Sequence, residues 1–205
     1  KGSLSTIAKA FDKVGVSHLL CYEISDRDGA EIANQGLRET EEYLAANQGL
    51  VGLHASFTVS DDTLRKAVDM MKRLDSGIHI HVAEDEHDQA ACLRDHGKRV
   101  VERLNEAGAL DSAKTILVHC LHLNTYEREL INNSPCWVAE NCESNMNNNV
   151  GRFNGTGLGG NIMLGTDGMH SDMLQSMKTA FFSGQGLDSI NYESACRRLR
   201  NIHNY

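Results

Sequence analysis

The chain has 205 residues, of which 28 are acidic and 20 are basic, so its formal net charge is −8. This acidic balance argues against binding to nucleic acid or to an anionic membrane surface, because both need clusters of basic residues. The length fits one domain or part of a larger one, and the sequence contains no recognisable signal peptide and no apolar run of about 18 residues that could span a membrane.

Short apolar runs alternate along the chain with longer segments of helical periodicity. The runs are residues 18–23, 50–57, 77–84, 115–120, 136–141 and 162–167. Runs of this length and composition are typical of buried parallel strands. The repeated alternation of strand and helix predicts an α/β fold with a parallel sheet.

The segments between the runs predict helices, with polar residues placed to start two of them. The helices are expected at residues 31–46, 61–74, 86–107, 125–132 and 171–182. Ser60 is the expected N-cap of the second helix, and Asn124 or Thr125 that of the fourth.

Two stretches, 145–149 (NMNNN) and 151–160, fit neither pattern. Residues 155–160 satisfy the G-x-G-x-x-G spacing of dinucleotide-binding turns, but such a turn needs a strand before it and a helix after it. Here a predicted strand follows instead, so we interpret the stretch as a flexible loop.

The six cysteines are irregularly spaced and include no C-x-x-C pair. In a chain of this length the pattern predicts free thiols in a reducing compartment, and hence a cytoplasmic protein.

Polar groups suited to metal binding or proton transfer lie near the carboxyl ends of four of the apolar runs. They are His54, His81, Glu84, His119 and Asp167. In a β/α barrel the active-site groups sit at the carboxyl ends of the strands, where side chains from different strands converge. This shared placement predicts a functional site, because histidines scattered through a core would not share one end.

Neighbouring residues help to separate ligands from packing residues. His79 and His81 face the same side of a strand, with His79 deeper, so we interpret His79 as a core residue and His81 as the ligand. Glu84 follows the strand and can reach a catalytic water without binding the metal. The alternative, an acidic residue at a helix N-terminus, fits Asp85 and Glu86 better.

Asp167 offers a hard oxygen ligand for Zn²⁺ or Fe²⁺ and a base for bound water, whereas the alternative is a turn formed by Asp167 and Gly168. His119 ends its run in the same way and is suited to bind a metal or to donate a hydrogen bond to a developing oxyanion. His122 lies beyond the run, and we interpret it as structural or facing solvent.

Motifs around these residues resemble those of a known family. They are residues 81–84 (HVAE), 118–123 (VHCLHL), 144–145 (SN) and 164–168 (LGTDG). Together they resemble the metal-dependent aminohydrolases of the amidohydrolase superfamily, a branch that includes S-adenosylhomocysteine and guanine deaminases and, with closer likeness, the SsnA-type aminohydrolases. The resemblance extends to about residue 182 and implies a (β/α)8 barrel.

The resemblance also implies roles for the candidate residues. His81 and Asp167 would bind one divalent metal, with Zn²⁺ favoured over Fe²⁺, and Asp167 would also act as a base. Glu84 would shuttle a proton, His119 would contact the reacting water, and His54, Glu84 and His119 would contact the substrate. Hydroxide formed from water on the metal would attack a purine-, pterin- or pyrimidine-like heterocycle, and ammonia would leave.

The sequence departs from the family pattern in one important respect. The family's first strand ends in H-x-H, but the only H-x-H here is residues 79–81, which correspond to the fifth strand. We therefore expect residues 1–205 to form an incomplete barrel with strands three to eight, without the first two strands or the β-sandwich domain. In addition, Ser56 replaces a proline found in many relatives.

Alternatives and partners follow from the same resemblance. The same site would suit a chlorohydrolase or a cyclic amidohydrolase, and a degenerate barrel would serve as a non-catalytic scaffold. The expected partner is a small heterocyclic substrate, and a homodimer is consistent with the family.

Overall fold

The structure, a computed structural model, describes residues 2–205. The described residues form one sheet of six parallel strands, hydrogen-bonded in the order in which they occur in the chain. The strands are β1 (Leu20–Cys21), β2 (Gly49–Ala55), β3 (Ile78–Val82), β4 (Ile116–His119), β5 (Trp137–Glu140) and β6 (Ile162–Leu164). Every predicted apolar run overlaps one of these strands, so the predicted α/β fold with a parallel sheet is confirmed.

Nine α-helices occur in residues 2–205, and most of them follow a strand. They are α1 (Ser3–Val14), α2 (Ala30–Leu44), α3 (Asp61–Arg73), α4 (Glu86–His96), α5 (Val100–Glu106), α6 (Thr125–Asn132), α7 (Cys142–Asn147), α8 (Met173–Ser183) and α9 (Tyr192–Arg200). Ser60 caps α3 by accepting a hydrogen bond from the Thr63 amide, and Asn124 caps α6 through the Glu127 amide. Both predicted caps are therefore confirmed, and Asn124 rather than Thr125 is the N-cap of α6.

Two predicted boundaries are wrong. The helix predicted over residues 86–107 is divided into α4 and α5, because α4 ends at Gly97, whose φ of 68° is the left-handed conformation that glycine adopts after helices. Residues 145–149, predicted to break the pattern, instead lie in and after α7. The glycine-rich stretch 151–160 contains no helix or strand and precedes β6, as predicted for a loop.

The two faces of the sheet differ in what they bury. The outer face carries aliphatic side chains that pack under the helices, among them Val51, Ile80, Leu117 and Val138. The inner face carries Val118, Trp137, Ala139 and Met163. Because His79 pairs with Ile116 and His81 with Val118 in the β3–β4 ladder, both histidines also lie on the inner face.

No described helix is long and apolar enough to cross a bilayer. All six cysteines are free thiols, and four of them are buried.

Candidate active site

A cavity of about 560 Å³ opens at the carboxyl ends of the strands. All five residues predicted for the site line this cavity, together with groups that were not predicted. The lining residues are Glu23, His54, Ala55, Phe57, His81, Glu84, Asp85, His87, Asp88, His119, Asn148 and Asp167. The expected convergence of side chains at one rim of the sheet is therefore present.

The tightest group in the cavity is Glu84, His119 and Asp167, whose ligand atoms all lie within 4.8 Å of one another. His119 Nε2 lies 3.6 Å from Glu84 Oε2 and 3.9 Å from Asp167 Oδ2. The His81 ring lies beside this group, with its centroid 5.5 Å from that of His119. The sequence predicted His81 and Asp167 as ligands, whereas the structure places Glu84 and His119 nearer to Asp167.

Backbone conformation directs His119 into the cavity. Strict alternation along β4 would turn His119 toward the helices, since Leu117 lies on the outer face and Val118 on the inner face. His119 instead has φ of 71°, and Asp167, three residues after β6, has φ of 55°. Left-handed conformations are costly for residues with a Cβ and cluster at functional sites.

Asp167 is held by hydrogen bonds to both of its carboxylate oxygens. Oδ2 accepts from Ser144 Oγ at 2.5 Å, and Oδ1 accepts from the Gly168 amide at 2.7 Å. Burial alone would raise the pKa of Asp167, but the hydrogen bonds from Ser144 and Gly168 act in the opposite direction, and the pKa is lowered. The carboxylate is therefore kept ionised and oriented.

The imidazoles of His81 and His119 present the same nitrogen to the cavity. His81 Nδ1 lies 2.6 Å from the His54 carbonyl oxygen, which only accepts, so Nδ1 carries the proton. His119 Nδ1 likewise lies 2.7 Å from Asn145 Oδ1. In both rings Nε2 is consequently left with a free lone pair, as a metal-binding histidine requires.

His54 also carries its proton on Nδ1 and leaves Nε2 with a lone pair. Its Nδ1 lies 2.7 Å from Thr58 Oγ1, and that hydroxyl donates its own proton to the Ala55 carbonyl, so the histidine is the donor. Burial lowers the pKa of His54, with Glu23 acting in the opposite direction, so the neutral ring is favoured. Its Nε2 lies 3.9 Å from Glu23 Oε1.

The other two histidines interpreted from the sequence lie outside the cavity. His79 lies deeper on the inner face, 6.4 Å from His81 between ring centroids, and burial lowers its pKa to about 4. His122 Nε2 donates to the Val150 carbonyl at 2.8 Å, a structural contact. Both are used for packing and support, as expected.

The donor set fits a divalent metal. His119 is 1% exposed, and among the described residues its Nε2 has no hydrogen-bond partner. A buried polar atom without a partner is costly unless a ligand satisfies it. The imidazole nitrogens of His81 and His119 and the carboxylate of Asp167 are donor types that suit zinc or iron. Glu84 adds a second carboxylate beside them.

Sequence reasoning missed several groups that line or support the cavity. Asn145 and Ser144 were recognised as a motif without a role, and Phe57 and His87 gave no chemical signal. Glu23, however, ends its apolar run in the same way as His119 and Asp167 end theirs. The strand-end rule, by which polar residues at the carboxyl ends of parallel strands form the site, would have identified Glu23 if applied to that run.

Comparison with known proteins gives consistent results. Residues 3–200 match the model of the amidohydrolase family. The chain is 29% identical over 203 residues to a 5-methylthioadenosine/S-adenosylhomocysteine deaminase of Thermoanaerobacter pseudethanolicus, covering 93% of this chain and 47% of that protein. It is 33% identical over 193 residues to a 5'-deoxyadenosine deaminase of Methanoregula boonei, covering 86% and 43%. The chain thus spans about half the length of these curated relatives.

Solved structures agree on the fold. An adenosine deaminase of Xanthomonas campestris with bound zinc superposes with a TM-score of 0.79 at 21% identity, covering 94% of this chain and 50% of that one. Guanine deaminase of E. coli superposes with a TM-score of 0.80 at 18% identity, covering 94% and 50%. These likenesses confirm the predicted β/α-barrel architecture, of which this chain supplies a part.

Proposed function

The chain belongs to the amidohydrolase family, and from this premise we propose that the protein containing it hydrolyses a C–N bond of a nitrogen heterocycle and releases ammonia. The substrate would be a purine-, pterin- or pyrimidine-like ring with an exocyclic amino group. The deaminases among the relatives support this reaction, since two of them act on adenine-containing nucleosides by name.

One observation carries the proposal: the carboxylates of Glu84 and Asp167 lie beside the buried Nε2 of His119, which has no hydrogen-bond partner among residues 2–205. Deamination by water needs a base for the water, a group that delivers a proton to the leaving amine, and a polar contact that orients the reactants. In this proposal Asp167 is the base, Glu84 delivers the proton and His119 makes the orienting contact.

We propose that His81 and Asp167 hold one divalent ion, with His119 beside it. When bound, such an ion, zinc in preference to Fe²⁺, supplies the Lewis acidity that makes water nucleophilic near neutral pH. The zinc named with the similar adenosine deaminase supports this choice of metal. Ligands from the residues that complete the barrel are expected as well, because zinc sites use three or four protein ligands.

The chain's own residues divide the proton transfers between them. The lowered pKa of Asp167 keeps its carboxylate charged, so it can accept a proton from the attacking water. Glu84, 30% exposed and 3.6 Å from His119 Nε2, can carry a proton to the departing amine. His119 Nε2 accepts a hydrogen bond from the water and positions it, while His54 contacts the substrate ring.

Two alternative functions use the same cavity. A chlorohydrolase or a cyclic amidohydrolase would activate water in the same way but would release chloride or open a ring. A non-catalytic scaffold would bind neither metal nor substrate. Release of ammonia is the measurement that separates these outcomes.

We also propose a cytoplasmic location, which agrees with the free state of all six thiols. A homodimer remains a prediction.

The test uses the complete protein that carries this chain, supplied with zinc, and measures ammonia release from a panel of aminopurines, pterins and aminopyrimidines. We expect turnover of at least one compound, and a loss of about 10²- to 10⁴-fold in Asp167→Asn and in Glu84→Gln. Glu86→Gln is the matched control, because Glu86 is 89% exposed and lies outside the cavity lining. Near-normal activity in either site variant would contradict the assigned role.

A further inference from the structure

Glu23 adds a carboxylate to the cavity that the proposed chemistry does not use. It follows β1 and directs Oε1 to within 3.9 Å of His54 Nε2. Arg27 contacts the same oxygen at 3.2 Å, but both side chains are more than half exposed, so their attraction is weak. Within residues 2–205, Oε2 of Glu23 makes no hydrogen bond.

The space between Glu23 and His54 is bounded by acceptors. His54 Nδ1–H donates a hydrogen bond to Thr58 Oγ1. Nε2 is therefore left with a lone pair that faces the Glu23 carboxylate. Two acceptors facing each other at this distance repel, and the Arg27 contact to the same Glu23 oxygen offsets only part of this repulsion because both side chains are more than half exposed. A ligand that places hydrogen-bond donors here would relieve this repulsion.

The negative charge of the whole cavity also favours a ligand that brings hydrogen-bond donors and carries no negative charge. Neither Lys nor Arg is among the described residues that line it. Its carboxylates are Glu23, Glu84, Asp85, Asp88 and Asp167. A bound metal would offset part of this negative charge, but the Glu23 end of the cavity would still disfavour a phosphate or carboxylate on the substrate.

An aromatic surface lies beside the acceptors. Phe57 is 46% exposed and makes edge contacts with His54 and His87, at centroid distances of 6.0 Å and 5.7 Å. A planar heterocycle can stack on such an exposed ring while its edge reaches polar groups. His119, buried and without a partner at Nε2, faces the same cavity from β4.

We infer that Glu23 and His54 Nε2 form an acceptor pair that selects a neutral or cationic heterocycle presenting neighbouring hydrogen-bond donors, and that rejects anionic analogues. This inference rests on the proposed deaminase function, since it names the substrate class of that site. The donors would be the hydroxyls of an attached sugar or the N–H groups of the ring edge.

The experiment measures binding by titration calorimetry to the complete zinc-loaded protein, alongside ammonia release. One arm compares adenosine with 2′,3′-dideoxyadenosine, which lacks the sugar hydroxyls, and another compares 2,6-diaminopurine with adenine, which lacks one amino group. A third arm compares adenosine with adenosine 5′-monophosphate. These arms distinguish sugar donors from ring donors and test rejection of an anion.

We expect the donor-rich member of at least one pair to bind about tenfold more tightly, because a hydrogen bond to a charged group is lost in its analogue. The monophosphate should bind more weakly than adenosine. Glu23→Gln, which keeps the shape but exchanges one acceptor for a donor, should remove most of this tenfold preference. Glu31→Gln, an exposed glutamate of α2 outside the cavity, should leave it unchanged.

Equal affinities within both pairs, an unchanged preference in Glu23→Gln, tighter binding of the monophosphate, or no measurable binding of any probe would each overturn the inference. Failure of the deaminase function would appear differently. In that case no ammonia would be released although the binding preference and its loss in Glu23→Gln persisted. Ammonia release with an unaltered preference in Glu23→Gln would refute the acceptor pair alone.

Discussion

Two buried polar clusters lie behind the same rim of the sheet, and they differ in how completely their atoms are paired. The Glu127 cluster is centred on a carboxylate that is 0% exposed, and the His119 cluster on an imidazole that is 1% exposed. Glu127 accepts hydrogen bonds from Gln89 Nε2, Arg99 Nε and the amides of Val101 and Asn124, at 2.7–3.1 Å. His119 Nε2 has no partner among the described residues.

The difference separates a structural role from a chemical one. The Glu127 carboxylate, with both oxygens fully hydrogen-bonded, joins α4, α5 and α6 and offers no free acceptor to a ligand. The His119 cluster, which also contains Glu84, Asn145 and Asp167, keeps an imidazole nitrogen and two carboxylates directed at an open cavity. Burial of charge alone therefore does not identify a site, whereas incomplete pairing does.

The largest effect is expected from breaking the paired cluster. Glu127→Ala removes the carboxylate that pairs with the Arg99 guanidinium at 2.7 Å and with the Gln89 amide. It leaves them the His122 carbonyl as their shared acceptor. We expect a loss of about 3–5 kcal/mol in the free energy of unfolding, measured by urea denaturation of the complete protein. Glu129→Ala, an exposed change on the same helix, should cost less than about 0.5 kcal/mol. A small effect of Glu127→Ala would show that the full pairing is not what stabilises this region.

Asp88 is intermediate between the two clusters, because only one of its oxygens is paired. Oδ2 accepts from the Ala83 amide at 2.8 Å, while Oδ1 has no partner among residues 2–205. Burial raises the pKa of Asp88 from 3.8 to about 6, against the smaller opposing effect of the Ala83 amide. The folded state therefore binds this proton more tightly than the unfolded state does.

The pH dependence follows from that sign. The contribution of Asp88 to stability is fully present below pH 3.8 and is lost as the pH rises through about 6. It amounts to about 3 kcal/mol at most. Asp88→Asn should flatten the stability profile in this window, as measured by urea denaturation from pH 4 to 7. Asp69→Asn, whose side chain is 67% exposed, should leave the slope unchanged; an unaltered slope in Asp88→Asn would contradict the assignment.

All six strands could be located from the sequence, because each overlaps a short apolar run, and most of these runs are separated from the next by a segment of helical periodicity. Helices α1 and α9 were not predicted, and the segment 86–107 was predicted as one helix. Gly97 was the available signal for that break, since a glycine within a polar stretch commonly ends a helix. The polar sequence of α7 gave no periodicity from which a helix could be inferred.

The composition of the site could be predicted, but its internal pairing could not. The strand-end rule located His54, His81, Glu84, His119 and Asp167 because it depends only on topology. It could not show that a positive φ turns His119 inward, or that Asn145 and Ser144 orient His119 and Asp167. Those contacts join residues 23 to 26 positions apart and depend on tertiary packing.

A smaller effect, on turnover, is expected when the hydrogen bond that supports His119 in the His119 cluster is removed. Asn145 is 0% exposed, and its Oδ1 holds the Nδ1 proton of His119 at 2.7 Å. Without that acceptor the proton can move to Nε2 and occupy the lone pair that faces the cavity. We expect Asn145→Ala to lower turnover about 10- to 100-fold, mainly in kcat, as measured by ammonia release. Asn147→Ala, an exposed change on the same helix, should retain activity, and equal losses in the two variants would point to damage to α7 instead.

The smallest effect tests whether the paired cluster tolerates the loss of one bond at its edge. Asn124 Oδ1 accepts from the Glu127 amide at 2.8 Å, and the Asn124 amide donates to Glu127 Oε2 at 3.1 Å. Asn124→Ala removes the first bond but keeps the second, since the second uses the backbone. We expect a loss of about 1 kcal/mol, the usual contribution of an N-cap, with unchanged activity.

Asn133→Ala, at the other end of α6, is the control for Asn124→Ala, because it removes an exposed asparagine without an N-cap role. A loss in Asn124→Ala as large as that in Glu127→Ala would show that the carboxylate keeps its partners only when the cap is intact. The paired cluster would then be a cooperative unit. A loss near 1 kcal/mol instead means that the remaining donors still satisfy the carboxylate, and that full pairing gives the Glu127 cluster a tolerance that the His119 cluster lacks.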